Sequence, residues 1–209
     1  PTLSEAVLMY DNNGNFVKQI AAMDYSKDAN PPTEPYIRKL QFVDQTLTII
    51  ACENNHYDII TANPLAKESP RKIKSFDISP ETAPTSQNYE WVSDMAVLSS
   101  GRIFYSTLNG QLFATNNQGQ FENCSNIMTS NPFIIVGMQV DSQDNLYFSD
   151  CVNGKFFKLN TNSSILQTIY SLDNPLWDKS TVKMKDVRTI KLINDNTFYS
   201  ASKSFEKPF

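Results

Sequence analysis

The stretch GMQVDSQDNLYFSDCVNGKFFKLN, Gly137 to Asn160, decides how this chain folds. Apolar and more polar residues alternate in Met138-Gln139-Val140-Asp141 and again in Leu146-Tyr147-Phe148-Ser149, the period of two expected of a strand with one buried face. Between these runs, Asp141 to Asn145 is a cluster of turn formers, and Asn153-Gly154 supplies a second turn before another apolar-aromatic run ending at Asn160. Strand, turn, strand, turn, strand is therefore the local plan.

The plan recurs. Four segments carry it: YIRKLQFVDQTLTIIACENNHYDIITANP from Tyr36, WVSDMAVLSSGRIFYSTLNGQLFATNNQGQF from Trp91, FIIVGMQVDSQDNLYFSDCVNGKFFKLNTN from Phe133, and DVRTIKLINDNTFYSASKSF from Asp186. Aligning the second strand of each makes Leu47, Ile103, Leu146 and Phe198 equivalent, at spacings of roughly 43 to 56 residues, near those of propeller blades. The first three continue into a second pair of strands. The prediction is an all-β chain, a β-propeller of four-stranded blades with about four blade equivalents. Its units lie near 36–72, 91–128, 133–172 and 186–209, with 5–21 in addition, in one domain spanning 1–209.

The piece EAVLMYDNNGNFVKQI resembles the second half of a unit, and the last unit stops after its first half. Either the two complete one shared blade in a closed ring, or the chain is part of a larger propeller. Asn13-Gly14, Asn109-Gly110 and Asn153-Gly154 are predicted two-residue hairpins, since Asn and Gly tolerate positive φ. Pro31-Pro32, Pro80 to Ser86 and Ser171 to Lys185 read as connections, with helical character only around Ser180 to Lys185.

Composition narrows the function. Eighteen Lys and Arg against 22 Asp and Glu give a charge of -4, and the basic residues are spread along the chain, which disfavours nucleic acid as a partner. No apolar run is long enough to span a bilayer. Six glycines, none in phosphate-cradle spacing, disfavour nucleotide chemistry. The single His56, in the polar run ENNHYD, reads as a solvated loop residue, so zinc sites and His-based triads are not expected. Three cysteines, Cys52, Cys124 and Cys151, permit at most one disulfide and read as small buried apolar side chains. Sequons at Asn123 and Asn162 are candidate glycosylation sites and fit a secreted protein.

Taken in order, the segments resemble the yellow / major royal jelly family. VLMYDNNGNFVKQI is similar to that family's vYDL…LlkqveiP strand pair. The Tyr36 segment is similar to vD…vYIaDe…gLiVY, and SDMAVLSSGRIFYSTLNGQLFATNNQGQF to GMALSp…LYYSPL…lyyVnT. TFYSASKSFEKPF is similar to the closing lwvlSNrfqkf. Two features depart from the pattern: Phe157-Lys158-Leu159-Asn160 stands where the family has Cys-Trp-Asn, and the first two blades of its six-bladed ring have no counterpart. The turn-strand pattern Asp-x-x-(Gly/Asn)-Asn-Leu-Tyr-Phe is also the generic blade of NHL-repeat and gluconolactonase-like propellers.

The resemblance implies a secreted, non-enzymatic propeller that binds a small ligand or a protein through its channel or faces. Channel geometry nominates Asp94, Gly137, Arg188 and Ser202 as ligand-binding residues. Family members with salivary roles hold a biogenic amine through Thr and Asn on the last blade. Arg188 and Ser202 do not match those residues, and Arg188 would repel a cationic amine. Trp91 and Trp177 are further candidates for a channel mouth.

No catalytic constellation and no cofactor are expected. Calcium is the one ion the acidic turns at Asp44, Asp141, Asp144 and Asp150 bring into question, although Asp in such turns ordinarily caps backbone groups. A metal-dependent gluconolactonase-like hydrolase and a pure protein-interaction module are the alternatives, and oligomeric state is left open.

Overall fold

The computed structural model describes residues 5–23, 36–53, 56–78, 92–128, 133–171, 187–194 and 197–202. Contacts group the chain into two compact units, Pro1–Thr85 and Ser86–Phe209. The connections around Pro31-Pro32 and Pro80 to Ser86, the Ser180 to Lys185 segment, Trp91 and Trp177 lie outside the described residues.

In the first unit, β1 (Glu5–Tyr10) and β2 (Phe16–Met23) form a two-stranded antiparallel sheet. β3 (Tyr36–Val43), β4 (Thr46–Glu53), β5 (His56–Ala62) and β6 (Arg71–Asp77) form a four-stranded sheet in chain order. Val7, Leu47 and Ile49 are the buried centre that joins the two sheets, with Ile20, Ala21, Ile37 and Ile60 packed around it.

The second unit holds two four-stranded sheets and a pair. β7 (Val92–Val97), β8 (Ile103–Thr107), β9 (Leu112–Thr115) and β10 (Phe121–Asn123) form the first, followed by one 3-10 turn at Ser125–Ile127. β11 (Ile135–Val140), β12 (Asn145–Asp150), β13 (Lys155–Asn160) and β14 (Ile165–Ser171) form the second, and β15 (Val187–Asn194) pairs with β16 (Thr197–Ser202). Every pairing is antiparallel between strands consecutive in the chain. These are propeller blades: three complete ones and two half-blades among the described residues.

The four aligned residues occupy one register position, since Phe42 pairs with Leu47, Val97 with Ile103, Val140 with Leu146, and Leu192 with Phe198. The expected half-burial of Leu146 to Ser149 is corrected. All of β8 and all of β12 are buried, polar Ser106, Ser149 and Asp150 included, because a middle strand of a blade is covered on both faces. Phe104, Leu112, Ile135, Met138, Phe148 and Phe157 make one core between the two blades. Burying each such side chain is worth about 1.5–3 kcal/mol.

The Asn-Gly turns are corrected as well. Asn13-Gly14 and Asn109-Gly110 lie in three-residue loops: Gly14 N donates to Asp11 O (3.0 Å) while Asp11 N donates to Asn15 O (2.9 Å), and Gly110 and Thr107 repeat this (3.2 and 3.0 Å) with Gln111. Only the glycine has positive φ, +83° and +76°, so this is a type I turn closed by a left-handed residue. Asn153-Gly154 belongs to the longer connection between Asp150 and Lys155, which are paired. The two-residue mirror-image turn falls at Asp44-Gln45, where both φ are positive at 47° and 63°.

Candidate functional site

Each first strand of a blade carries a break in register near its start, at Ile37/Lys39, Val92/Asp94, Val136/Gln139 and Val187/Thr189. A bulge there re-aims one residue and raises the local twist, and such bulges concentrate near binding sites. In the second unit β11 packs beside both β7 and β15, so three of these bulges stand in a row. That row contains three of the four nominated residues: Asp94, Gly137 and Arg188.

Asp94 and Gly137 are brought together. The half-buried Asp94 accepts from its own neighbour Met95 N through Oδ1 (2.7 Å) and from Met138 N through Oδ2 (2.7 Å), stitching β7 to β11 beside Gly137. Gly137 sits at φ +67°, a conformation its missing side chain permits. Ser93 Oγ, at the β7 bulge, donates to Ile135 O (2.8 Å), as Ser149 Oγ does to Val136 O (2.7 Å). Arg188 is the bulged residue of β15, and Ser202 ends β16 opposite Val187.

One member of this set was not nominated. Arg38 is the bulged residue of β3 in the first unit, equivalent in its own blade to Arg188. Counting back from Leu47 as from Phe198 finds it, provided the β3–β4 turn is taken as one residue shorter than the others.

Of the acidic turn residues, Asp141 caps its own turn, whereas Asp144 and Asp150 also accept from residues distant in the chain. Asp141 is buried; its Oδ1 accepts from Gln143 N (3.0 Å) and Asn145 N (2.7 Å), and its Oδ2 from Asn145 Nδ2 (2.8 Å) and Tyr147 Oη (3.2 Å), with Lys158 Nζ at 3.9 Å. Burial raises the Tyr147 pKa, and Lys158 opposes it. Asp150, also buried, accepts from Ile134 N (3.3 Å), Val152 N (3.1 Å) and Asn153 Nδ2 (2.6 Å). Asp144, at φ +61°, holds Ser99 N and Ser99 Oγ, both at 2.7 Å, and so ties one blade's turn to the next. Asp44 is exposed in its tight turn. Among the described residues no group of three His, Cys, Asp or Glu side chains is placed to hold a metal ion.

His56 is corrected from a loop residue to the first residue of β5. Its exposed ring bonds Asp77 Oδ1 through Nδ1 (2.8 Å) and approaches Asp58 Oδ1 through Nε2 (3.4 Å). The Asp77 hydrogen bond raises its pKa above the usual value. Glu53 on β4 is its register partner, and Lys72 Nζ pairs with Oδ2 of the half-buried Asp58 at 2.7 Å, so the imidazole is one part of a partly exposed ion cluster.

All three cysteines stand as thiols. Cys52 is fully buried, as expected, whereas Cys124 and Cys151 are half-buried. Burial pushes the Cys124 pKa up to about 11, against a smaller opposing pull from Arg102, and its Sγ donates to Leu112 O at 3.4 Å. Asn123 and Asn162 are both exposed, Asn123 Oδ1 accepting from Ser125 N at 2.9 Å.

Four-stranded antiparallel sheets in chain order, each with a bulged first strand, are the blades of a β-propeller, and solved structures agree. The chain is similar to the catalytically inactive virginiamycin B lyase of Staphylococcus aureus with quinupristin, at TM-score 0.51 and 12% identity, covering 96% of this chain and 54% of that one. It is similar to YCF48 bound to D1 peptide at TM-score 0.50 and 12% identity, over 95% of this chain and 58% of that one. The chain thus spans little more than half the length of either. No protein-family model and no curated protein matches it.

Proposed function

We propose that this chain is a binding part of a secreted propeller of yellow / major royal jelly type, one that holds a peptide or small ligand at the inner-strand bulges of its second unit and performs no chemistry there. The observation that supports this reading is how the carboxylates are occupied. Asp94, Asp141 and Asp150 each accept from backbone N–H groups on their own or a neighbouring strand. A hydrolytic site would need such oxygens converged on a cation at about 2.3–2.6 Å.

Gly137, without a side chain, stands in the row, and Arg188 at the β15 bulge is its basic residue, which suits an acidic or carboxylate-bearing ligand over an amine. Peptide capture by a propeller has a precedent in the similar YCF48 structure with its bound peptide. Exposed sequons at Asn123 and Asn162 are compatible with passage through a secretory route.

The test is selection of a random peptide library on the immobilised protein, with Arg188→Glu as the counter-target and lactone hydrolysis assayed with and without added calcium. Enriched peptides should be acid-rich and bind Arg188→Glu about tenfold more weakly, without calcium-dependent turnover. Peptides that bind the variant equally well, or hydrolysis that calcium switches on, would overturn the reading.

A further inference from the structure

Acids outnumber bases in the chain as a whole, 22 to 18, yet residues 63–74, NPLAKESPRKIK, carry four basic side chains and one acid. This stretch is the β5–β6 loop and the start of β6. The loop folds against β2 and encloses an open cleft of about 480 Å³ within the first unit. Ile20, Ala62, Leu65 and Pro70 contribute apolar wall, while Lys18 and Lys67 bring two cations to it against the single carboxylate of Glu68.

The state of Lys18 points to what the cleft takes. Its side chain is half-buried, and Nζ donates to Ala66 O at 2.9 Å. A carbonyl fixes the ammonium in place without cancelling its charge. The carbonyl itself is positioned, because the loop is pinned by Asn63, whose O accepts from Ala66 N (3.1 Å) and whose Oδ1 accepts from Leu65 N (2.9 Å). Among the described residues no carboxylate pairs with Lys18 or Lys67, whereas Lys72 farther along is neutralised by Asp58. A positioned, partly desolvated cation with only a neutral partner attracts an anion more strongly than one in open water.

We infer that this cleft binds a small organic carboxylate with an apolar body. Its volume lies in the range of small-molecule sites and is far larger than an inorganic anion fills. Lysines act as point charges and offer no planar fork, which suits one compact anionic head. The apolar wall takes the tail. The inference stands on the first unit alone and goes beyond the binding row proposed in the second.

Octanoate titrated into the full ¹⁵N-labelled chain is the test, with the amides of Gln19, Ala66 and Ser69 followed by NMR. Saturable shifts at these amides are expected with octanoate, much weaker ones with octan-1-ol, and none with inorganic phosphate. Lys18→Gln and Lys67→Gln should each weaken octanoate binding about three- to tenfold. Lys67 is exposed and makes no side-chain bond among the described residues, so Lys67→Gln keeps the test decisive even where Lys18→Gln disturbs the loop. Equal binding of octan-1-ol, equal displacement by phosphate, or an unchanged Lys67→Gln would each overturn the inference.

Discussion

A methyl group on Gly110 would stand 2.4 Å from the carbonyl oxygen of Phe133, while one on Gly101 would meet nothing within 4 Å. Both glycines have positive φ, +76° and +80°, so alanine carries a similar backbone penalty at either position. The difference between the two variants therefore isolates the clash. Gly101→Ala should cost about 1 kcal/mol and Gly110→Ala about 2–4 kcal/mol, measured by urea denaturation at fixed pH. Equal losses would show that Phe133 moves aside freely. Sequence letters identify both glycines as turn residues, but the crowding at Gly110 comes from a residue leading into another blade. Nothing local in the sequence could have announced it.

One loop serves as the joint between strands at several places. Asp11, Asn116 and Asp141 each accept through Oδ1 from the backbone N–H groups two and four residues on, and a residue with positive φ stands three residues on, namely Gly14, Gly119 and Asp144. At Asp141 the loop is buried and the second oxygen accepts from Asn145 Nδ2 and Tyr147 Oη. Asp141→Ala should thus cost about 3 kcal/mol by stranding several donors. Asp141→Asn should cost about half that, since Asn116 shows that an amide oxygen serves the two backbone donors; calorimetric unfolding of the two variants gives the comparison. This loop explains what could be read and what could not. The spacing of turn clusters and apolar runs placed Leu47, Ile103, Leu146 and Phe198 in one register, because loop length is fixed by chain geometry. An Asn-Gly pair, however, is the same two letters in a two-residue turn and in this longer loop, and only the Asp or Thr three residues before the glycine tells them apart. The same limit applied to the site: Asp94 and Gly137 were found by blade alignment, whereas Arg38 was missed because the Asp44-Gln45 turn is one residue shorter.

Across the whole chain, pH acts on the two units through different groups. In the first unit His56 has a raised pKa, so its contribution is complete below the unfolded value of about 6.5 and is lost as pH rises through the folded one. The group is exposed, which keeps this effect well under 1 kcal/mol. Asn15 lowers the Asp11 pKa; at Asp58 burial works the other way, and the Lys72 and Ser75 hydrogen bonds outweigh it. Contributions from these carboxylates are present above the unfolded value near 3.8 and are lost as pH falls through their lower folded values. The larger effect belongs to the second unit. Burial raises Cys124 from 9.0 to about 11, so the folded form retains a proton that the unfolded chain releases. Stability should then fall between pH 9 and 11 by roughly 2–3 kcal/mol, a decline that begins above the range where His56 acts. Urea midpoints at pH 8 and pH 10.5 measure it, and Cys124→Ala, which removes the titrating thiol, should lose most of that decline despite a lower stability at pH 8. A decline of the same size in Cys124→Ala would mean that other groups, Tyr147 first among them, carry the alkaline limb.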